Sequence, residues 1–210
     1  MTKEVTKSGD SIEYQYDSCG NLLKITHNNT TKEFDNTEDR CNNVKINGYT
    51  KNITYDENGN IIKYGDFEYI YNNLNQLIKC IHIKDNVKMI YKYYYDFAGR
   101  RFRKLISTEK NNNNIKLFDY YYYYNGNQLM SISCHNYEEN NTRYIHYFYD
   151  EIGLCGLEYA ENYYGIICDT LGNVSKITDN DRVIIEYTYD AFGNTSCKLV
   201  SGEDFYFDIS

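Results

Sequence analysis

Aspartate side chains recur along the chain, and they are the first residues whose type and spacing could do chemistry. Each follows an aromatic residue directly and precedes a glycine by three positions, most clearly in Tyr16-Asp17, Tyr55-Asp56, Tyr95-Asp96, Tyr149-Asp150 and Tyr189-Asp190. Repeated carboxylates could serve as general acids or bases, or as oxygen ligands for calcium. A third role is structural, because an aspartate that starts a tight turn accepts hydrogen bonds from backbone N–H groups two residues further on.

The segment that starts at Asp56 comes nearest to a calcium-binding loop. An EF-hand requires glycine at position six and glutamate at position twelve, and this chain has Ile61 and Phe67 there. Turn formation explains every copy of the pattern without a metal. No metal site and no cofactor is therefore predicted.

Histidine and nucleophile patterns give no support for catalysis. The four histidines, His27, His82, His135 and His146, lie in different parts of the chain, and none is paired with cysteine at the spacing of a zinc site. No G-x-S-x-G, H-E-x-x-H or phosphate-binding loop occurs. The sequence therefore predicts no catalytic residue and no enzyme.

The aspartates belong to a repeated motif, and regular secondary structure on either side must hold each copy in place. Its copies are Tyr16-Asp17-Ser18-Cys19-Gly20, Tyr55-Asp56-Glu57-Asn58-Gly59, Tyr71-Asn72-Asn73-Leu74-Asn75, Tyr95-Asp96-Phe97-Ala98-Gly99, Tyr124-Asn125-Gly126, Tyr149-Asp150-Glu151-Ile152-Gly153, Cys168-Asp169-Thr170-Leu171-Gly172 and Tyr189-Asp190-Ala191-Phe192-Gly193. Asp at the first turn position and Gly at the fourth are typical of a type I turn. The glycine can adopt positive φ, which lets the chain return to a sheet through a G1 bulge. These residues are accordingly predicted to form a structural turn motif.

The spacing of the copies predicts one β-hairpin per repeat, since most steps lie near 20 residues. The step from Tyr16 to Tyr55 is twice that long and is expected to hide a degraded copy near Phe34-Asp35. Before the turns, aromatic residues stand two apart, as in Tyr93 and Tyr95, which places both rings on one face of a strand. No helical periodicity is present. An all-β array of antiparallel hairpins is the predicted fold class.

Composition excludes several classes of partner. The 210 residues carry a net charge of −8, which disfavours nucleic acid because binding requires neutralisation of phosphates. The one basic cluster, Arg100, Arg101, Arg103 and Lys104, is interpreted as a solvated strand. No apolar stretch has the length of a membrane span or the form of a signal peptide. The seven cysteines show no C-x-x-C pair and are interpreted as small, half-buried apolar residues.

The ordered Tyr-Asp-x-x-Gly copies resemble the RHS/YD-repeat family. So does the pairing of Asp169-Thr170-Leu171-Gly172-Asn173-Val174 with Tyr189-Asp190-Ala191-Phe192-Gly193-Asn194, a block that lies near the start of that family's core-associated region. The resemblance extends over residues 12 to 196. It implies hairpin repeats over residues 1–164 and the start of a core-associated region, truncated, over residues 165–210.

The resemblance also implies an architecture and a role. The fold it implies is a curved, spiralling sheet that forms part of a hollow β-shell. The role it implies is a non-catalytic repeat segment of a secreted or cell-surface bacterial protein, which encapsulates or presents a C-terminal toxin in intercellular competition. The partners would be further YD repeats and that toxin.

An alternative role is surface adhesion or carbohydrate binding. Sugars stack on exposed aromatic faces, and the tyrosine rows, including Tyr121 to Tyr124, could supply them for a cell-surface glycan. The same rows are better explained as packing surface, because aromatic residues recur at the same place in each repeat, where packing requires them.

Overall fold

The computed structural model describes residues 2–5, 11–37, 40–111, 113–190 and 193–200, and every regular element among them is a β-strand. The chain divides into two compact units, Met1–Leu117 and Phe118–Ser210. Within the described residues, no helix is long and apolar enough to cross a membrane. The predicted all-β class is confirmed. The predicted regions 1–164 and 165–210 concern family organisation and stay a prediction.

The first unit contains β1 (Thr2–Val5), β2 (Ser11–Tyr16), β3 (Leu22–His27), β4 (Thr30–Thr37), β5 (Arg40–Ile46), β6 (Tyr49–Tyr55), β7 (Ile61–Tyr64), β8 (Phe67–Tyr71), β9 (Leu77–Lys84), β10 (Val87–Tyr95) and β11 (Arg101–Lys110). Each strand pairs antiparallel with the next one along the chain. The predicted order of consecutive hairpins is confirmed for this unit.

The second unit follows the same rule. Its strands are β12 (Asn113–Asn125, which begins before the unit boundary), β13 (Gln128–Asn136), β14 (Asn141–Tyr149), β15 (Leu154–Tyr159), β16 (Asn162–Cys168), β17 (Val174–Asp179), β18 (Arg182–Tyr189) and β19 (Thr195–Leu199). Each pairs antiparallel with its sequence neighbour.

Two kinds of turn alternate along most of the described residues, and each kind lies at one edge of its unit's sheet. The two-residue turn Gly126-Asn127, at the motif copy that begins at Tyr124, and the four-residue turn 137–140 depart from this alternation. The repeat motif forms longer turns of four or five residues, such as 56–60, which we call motif turns. The opposite edge carries short turns, such as Asn47-Gly48 and Asn180-Asp181, in which both residues have positive φ. That is the backbone of a type I′ turn, whose twist matches the twist of the flanking strands.

The hidden repeat lies two residues beyond its predicted position. Phe34 and Asp35 are inside strand β4. A register shift falls between Asp35 and Asn36, where the other repeats have a shift directly before the motif aromatic, as between Thr54 and Tyr55. Asn36 therefore occupies the aromatic position. Residues 38–39, between β4 and β5, lie outside the described residues.

Each unit has its own set of buried apolar side chains. In β14, Ile145 and Tyr147 face the core while His146 and Phe148 face the other way, as strand alternation requires. The second unit's buried cluster consists of Ile132, Tyr147, Leu157, Tyr164, Ile166, Ile177, Ile184 and Ile185. The first unit buries Ile12, Tyr14, Val44, Cys80, Ile90 and Leu105. Aliphatic residues of the strands thus supply much of the interior, together with a few tyrosines.

One short turn departs from the chemistry of the others. Ala160 and Glu161 hold φ of 50° and 64°, while the corresponding positions elsewhere carry pairs such as Asp85-Asn86 and Asn180-Asp181. A residue with a Cβ atom in this region costs roughly 1–2 kcal/mol, and Asn or Gly tolerates it best.

Replacing Ala160→Asn together with Glu161→Gly should therefore raise the free energy of unfolding by about 1–2 kcal/mol. Urea denaturation followed by circular dichroism measures the change. The control is Asp181→Gly in the neighbouring turn, where the residue replaced already tolerates positive φ and the gain is smaller. Equal unfolding midpoints for the double variant and the parent would contradict the assigned strain.

Candidate functional site

The motif turn is the feature that most of the predicted residues build, and the turn at Asp56 shows its hydrogen bonds. Asp56 N donates to the carbonyl of Asn60 at 2.9 Å, and Gly59 N donates to the carbonyl of Asp56 at 3.1 Å. With Gly59 at a φ of 86°, this is the geometry of a tight turn closed by a G1 bulge. The Oδ1 atom of Asp56 accepts two more bonds, from Asn58 N at 3.0 Å and Asn60 N at 2.8 Å. One carboxylate oxygen thus holds the turn closed from inside.

The same arrangement recurs in the other five-residue copies. Backbone N–H groups donate to the first-position carboxylate of Asp17, Asp96, Asp169 and Asp190. The glycines of these turns, Gly20, Gly99, Gly172 and Gly193, have φ between 78° and 90°. Asn75 takes the glycine position in the turn that starts at Asn72, with a φ of 57°.

Asp150 starts a shorter version of the turn. Its N–H donates to the carbonyl of Gly153 at 2.9 Å, and its Oδ1 accepts from Ile152 N and Gly153 N. Strand β15 begins at the next residue, so that the fifth position of the longer turns is missing. The carboxylate keeps its role although the loop is one residue shorter.

The side chain at the fifth position of the longer turns completes them, a role that the repeat pattern in the sequence does not predict. Asn60 Nδ2 donates to Asp56 Oδ2 at 2.9 Å, and Arg100 Nε donates to Asp96 Oδ2 at 2.8 Å. Where the first position is an amide, the polarity reverses, because Asn72 Nδ2 donates to Gln76 Oε1 at 2.8 Å. The matched change at positions one and five is the sequence signal that could have revealed the pair.

In four repeats a tyrosine hydroxyl ties the motif turn to the strand that follows the preceding motif turn. Tyr55 donates its hydroxyl hydrogen to the carbonyl of Cys41 at 2.8 Å, and Tyr95 donates to that of Leu77 at 2.8 Å. In the second unit the hydroxyls of Tyr149 and Tyr189 reach Leu129 at 2.8 Å and Val174 at 2.7 Å. Each acceptor is the first or the second residue of the strand in which it lies. We call this hydrogen bond the latch.

A bulge stands beside each latch acceptor. Tyr71 pairs with Leu77 while Ile70 pairs with Lys79, which leaves Ile78 as an extra residue directly after the acceptor Leu77. An extra residue interrupts the regular ladder at that point. The carbonyl before it is then reached by a side chain of the next repeat, which explains why bulge and latch occur together.

Two repeats that lack the tyrosine keep the contact with a different donor. Asn36 Nδ2 donates to the carbonyl of Leu22 at 2.8 Å. The Cys168 thiol lies 3.6 Å from the carbonyl of Leu154, the length of a weak S–H···O contact. The position, rather than the aromatic ring, is therefore what these two repeats preserve. This also explains one of the half-buried cysteines, and no disulfide forms among the described residues.

The turn and latch groups have shifted pKa values. Hydrogen bonds from the Asn60 side chain and from backbone N–H groups lower the pKa of Asp56, and the backbone N–H groups of Gly153 and Ile152 lower that of Asp150. Burial raises the pKa of the latch residues Tyr149 and Tyr189. Burial also raises the pKa of Tyr93 to about 12. The turn carboxylates thus favour the ionised form, and the latch phenols favour the neutral form that donates.

The structure brings the predicted residues together within each turn and does not gather different turns around one centre. Among the described residues, no three His, Cys, Asp or Glu side chains form a group that could hold a metal ion. Tyr16, the first motif aromatic, is 39% exposed. The basic cluster lies against aromatic rings, with Arg101 over Tyr93 at 5.6 Å and Arg103 over Tyr94 at 5.1 Å.

Known proteins resemble this chain over much of its length. A family model described as Teneurin YD-shell matches residues 2–209. The chain is 29% identical over 213 residues to the tRNA3(Ser)-specific nuclease WapA of Bacillus spizizenii, and 29% identical over 211 residues to the tRNA nuclease WapA of Bacillus subtilis. Each alignment covers 97% of this chain and 8% of the relative, so the chain spans only a small part of these proteins' length.

Two further likenesses are more distant. Salivary gland surface protein 1 of Aedes aegypti is 28% identical over 165 residues, which cover 73% of this chain and 5% of that protein. A solved structure of the Photorhabdus luminescens Tc holotoxin pore aligns with 89% of this chain and 13% of its own, at 16% identity and a TM-score of 0.49.

The latch predicts a specific loss of stability. Tyr149→Phe and Tyr189→Phe each remove one hydroxyl and leave a carbonyl without its side-chain donor, which should lower the free energy of unfolding by about 1 kcal/mol each. Urea denaturation measures it. The control is Tyr163→Phe, because that side chain is 68% exposed and makes no latch. Equal small effects for all three variants would contradict the latch.

The turn carboxylates predict the response to acid. Because their folded-state pKa values lie below 3.8, the ordinary value for aspartate, their contribution to stability is present above about pH 4 and is lost as the pH falls through the folded-state values. Asp56→Asn with Asp150→Asn should flatten the fall of the urea midpoint between about pH 4 and pH 2. The control, Glu57→Gln with Glu151→Gln, changes carboxylates in the same two turns. Its urea midpoint should fall with pH as that of the parent does. Identical curves for both pairs would contradict the assignment.

Proposed function

The chain belongs to the Teneurin YD-shell family, and from that premise we propose that it is a non-catalytic wall segment of a larger secreted or cell-surface RHS-type protein. In that protein the wall encapsulates or presents a C-terminal toxin. We use the word wall for a sheet that lengthens by the addition of similar hairpins. Such a sheet separates the spaces on its two faces.

The latch is the observation that carries this proposal. In several repeats of both units it joins a motif turn to the preceding one, as in Tyr189 to Val174 and Tyr149 to Leu129. A repeat that is stabilised by its neighbours can be added many times without a new core, which is how linear repeat proteins grow. The polar residues of the motif turns are engaged in closing those turns, which supports a mechanical role for them.

The named relatives support the association with a toxin. Two are nucleases by name, and this chain aligns with 8% of their length. A net charge of −8 disfavours contact with tRNA by this segment, because phosphate must be neutralised by basic residues. We therefore assign any such activity of the parent protein to another segment, and a shielding role to this one.

The glycan-binding alternative rests on fewer side chains than the sequence analysis considered. Tyr120 and Tyr122 pack against the buried cluster of the second unit, while Tyr121 and Tyr123 are exposed by 36% and 50%. Only the latter two could stack on a sugar. The alternative requires saturable binding on a glycan array that is lost in Tyr121→Ala with Tyr123→Ala and kept in Tyr120→Phe.

The wall proposal is tested in the full-length protein that carries this chain. Asp56→Ala with Asp150→Ala opens two motif turns, and Glu57→Ala with Glu151→Ala is the matched control, with the same change of charge in the same turns. We expect limited proteolysis to digest the C-terminal segment faster in the first variant only. Equal digestion in parent and both variants would contradict shielding, and tRNA cleavage by the purified chain would contradict the non-catalytic assignment.

A further inference from the structure

A groove of about 520 Å³ lies beside strands β14 and β15 of the second unit, and no residue of a motif turn lines it. Tyr144 and His146 of β14 line one side, and Glu158 with the short turn Ala160-Glu161 lines the other. The register places His146 directly opposite Glu158. The groove therefore combines the aromatic rings of Tyr144 and His146 with two carboxylates, and Thr142, Arg143 and Tyr159 complete its lining.

The two rings form one aromatic surface. Their centroids lie 6.2 Å apart and their planes differ by 3°. Tyr144 is 51% exposed, and His146 is exposed on the same strand face, opposite to the one that carries Tyr147 into the core. Aromatic π faces carry partial negative charge, which attracts cations that approach within about 6 Å.

The carboxylates of the groove are available to a ligand. Among the described residues, Glu158 and Glu161 make no hydrogen bond and no ion pair. Arg143 also lines the groove, but its charge is paired outside the two glutamates, since Arg143 Nη2 lies 3.1 Å from Glu139 Oε2. The negative charge of the two glutamates is thus left uncompensated within a chain whose net charge is already −8. That combination favours a cationic ligand over an anionic one.

One of these carboxylates, that of Glu161, belongs to a residue with an unfavourable backbone conformation. Glu161 holds a φ of 64°, and its turn partner Ala160 a φ of 50°, at positions where the next short turn has Asn180-Asp181. Residues held in such conformations cluster at sites where side-chain identity matters for function. The glutamate at position 161 is explained if its carboxylate has a ligand.

We propose that this groove binds a primary ammonium group on a flexible alkyl chain, which is the chemistry of a lysine side chain and of a free polyamine. The methylene groups lie along the rings of Tyr144 and His146, as such stems commonly cover apolar surface. The ammonium group is held between the aromatic faces and the carboxylates of Glu158 and Glu161. This site is independent of the wall role, because no motif turn contributes to it.

Binding is tested by NMR titration of the intact chain with 1,4-diaminobutane, with 1,4-butanediol as the neutral probe of equal length. We expect saturable shifts of Tyr144 and His146 with the diamine and none with the diol. Glu161→Gln and Tyr144→Leu should each weaken binding by about two- to fivefold. The matched control, Asp181→Asn, makes the same change of charge at the second position of the next short turn and should leave binding unchanged.

Three outcomes would overturn the proposal: shifts with the diol equal to those with the diamine, equal weakening by Asp181→Asn and Glu161→Gln, or no saturable shift at all. A second arm compares the diamine with a lysine-containing peptide that is otherwise uncharged. Tighter binding of the peptide assigns the site to a protein partner, and tighter binding of the diamine assigns it to a polyamine.

A separate readout distinguishes a site from a merely unfavourable turn. Glu161→Gly should raise the midpoint of thermal unfolding while it weakens binding of the diamine. A turn without a ligand predicts the gain in stability with no change in binding, and that result would also overturn the proposal.

Discussion

The structure depends on a backbone that reverses direction after every strand, and in six of the described turns one aspartate oxygen accepts the backbone N–H groups of the reversal. In the turn at Asp56, Oδ1 accepts two N–H groups that would otherwise lack partners at the loop. The same atom does so in turns that differ at almost every other position, including the shorter one at Asp150. Strand pairing, registers and the position of the latch follow once these turns are closed.

The latch converts a series of hairpins into a cooperative array. A hairpin by itself is only marginally stable in water, so each repeat needs its neighbours. The contact from Tyr95 to Leu77 and the contact from Tyr189 to Val174 join consecutive turns in the two units. Asn36 and Cys168 show that the array tolerates other donors at this position. The turns vary in sequence, but their first polar group and the latch recur. This pattern suits a segment whose role is to extend a wall.

The short turns at the edge opposite to the motif turns are built differently, and one of them differs in residue type from the others. Short turns of Asn, Asp and Gly satisfy positive φ at low cost, and Ala160-Glu161 does not. The departure coincides with the Tyr144–His146 surface and with two glutamates that have no partner among the described residues. The regular edge maintains the sheet, and the irregular turn marks the place where a ligand for this sheet is proposed.

The sequence by itself determined the fold class, the hairpin period and the turn residues, because these depend on local chemistry: alternation within a strand, Asp at a turn start and Gly at positive φ. The latch, the partner role of Asn60 and the true place of the repeat at Asn36 were decided by the tertiary structure. They join atoms 4 to 20 residues apart, and their geometry depends on a register shift that no local pattern announces. The groove beside Glu161 likewise exists only because two strands and a strained turn meet, which spacing along the chain does not reveal.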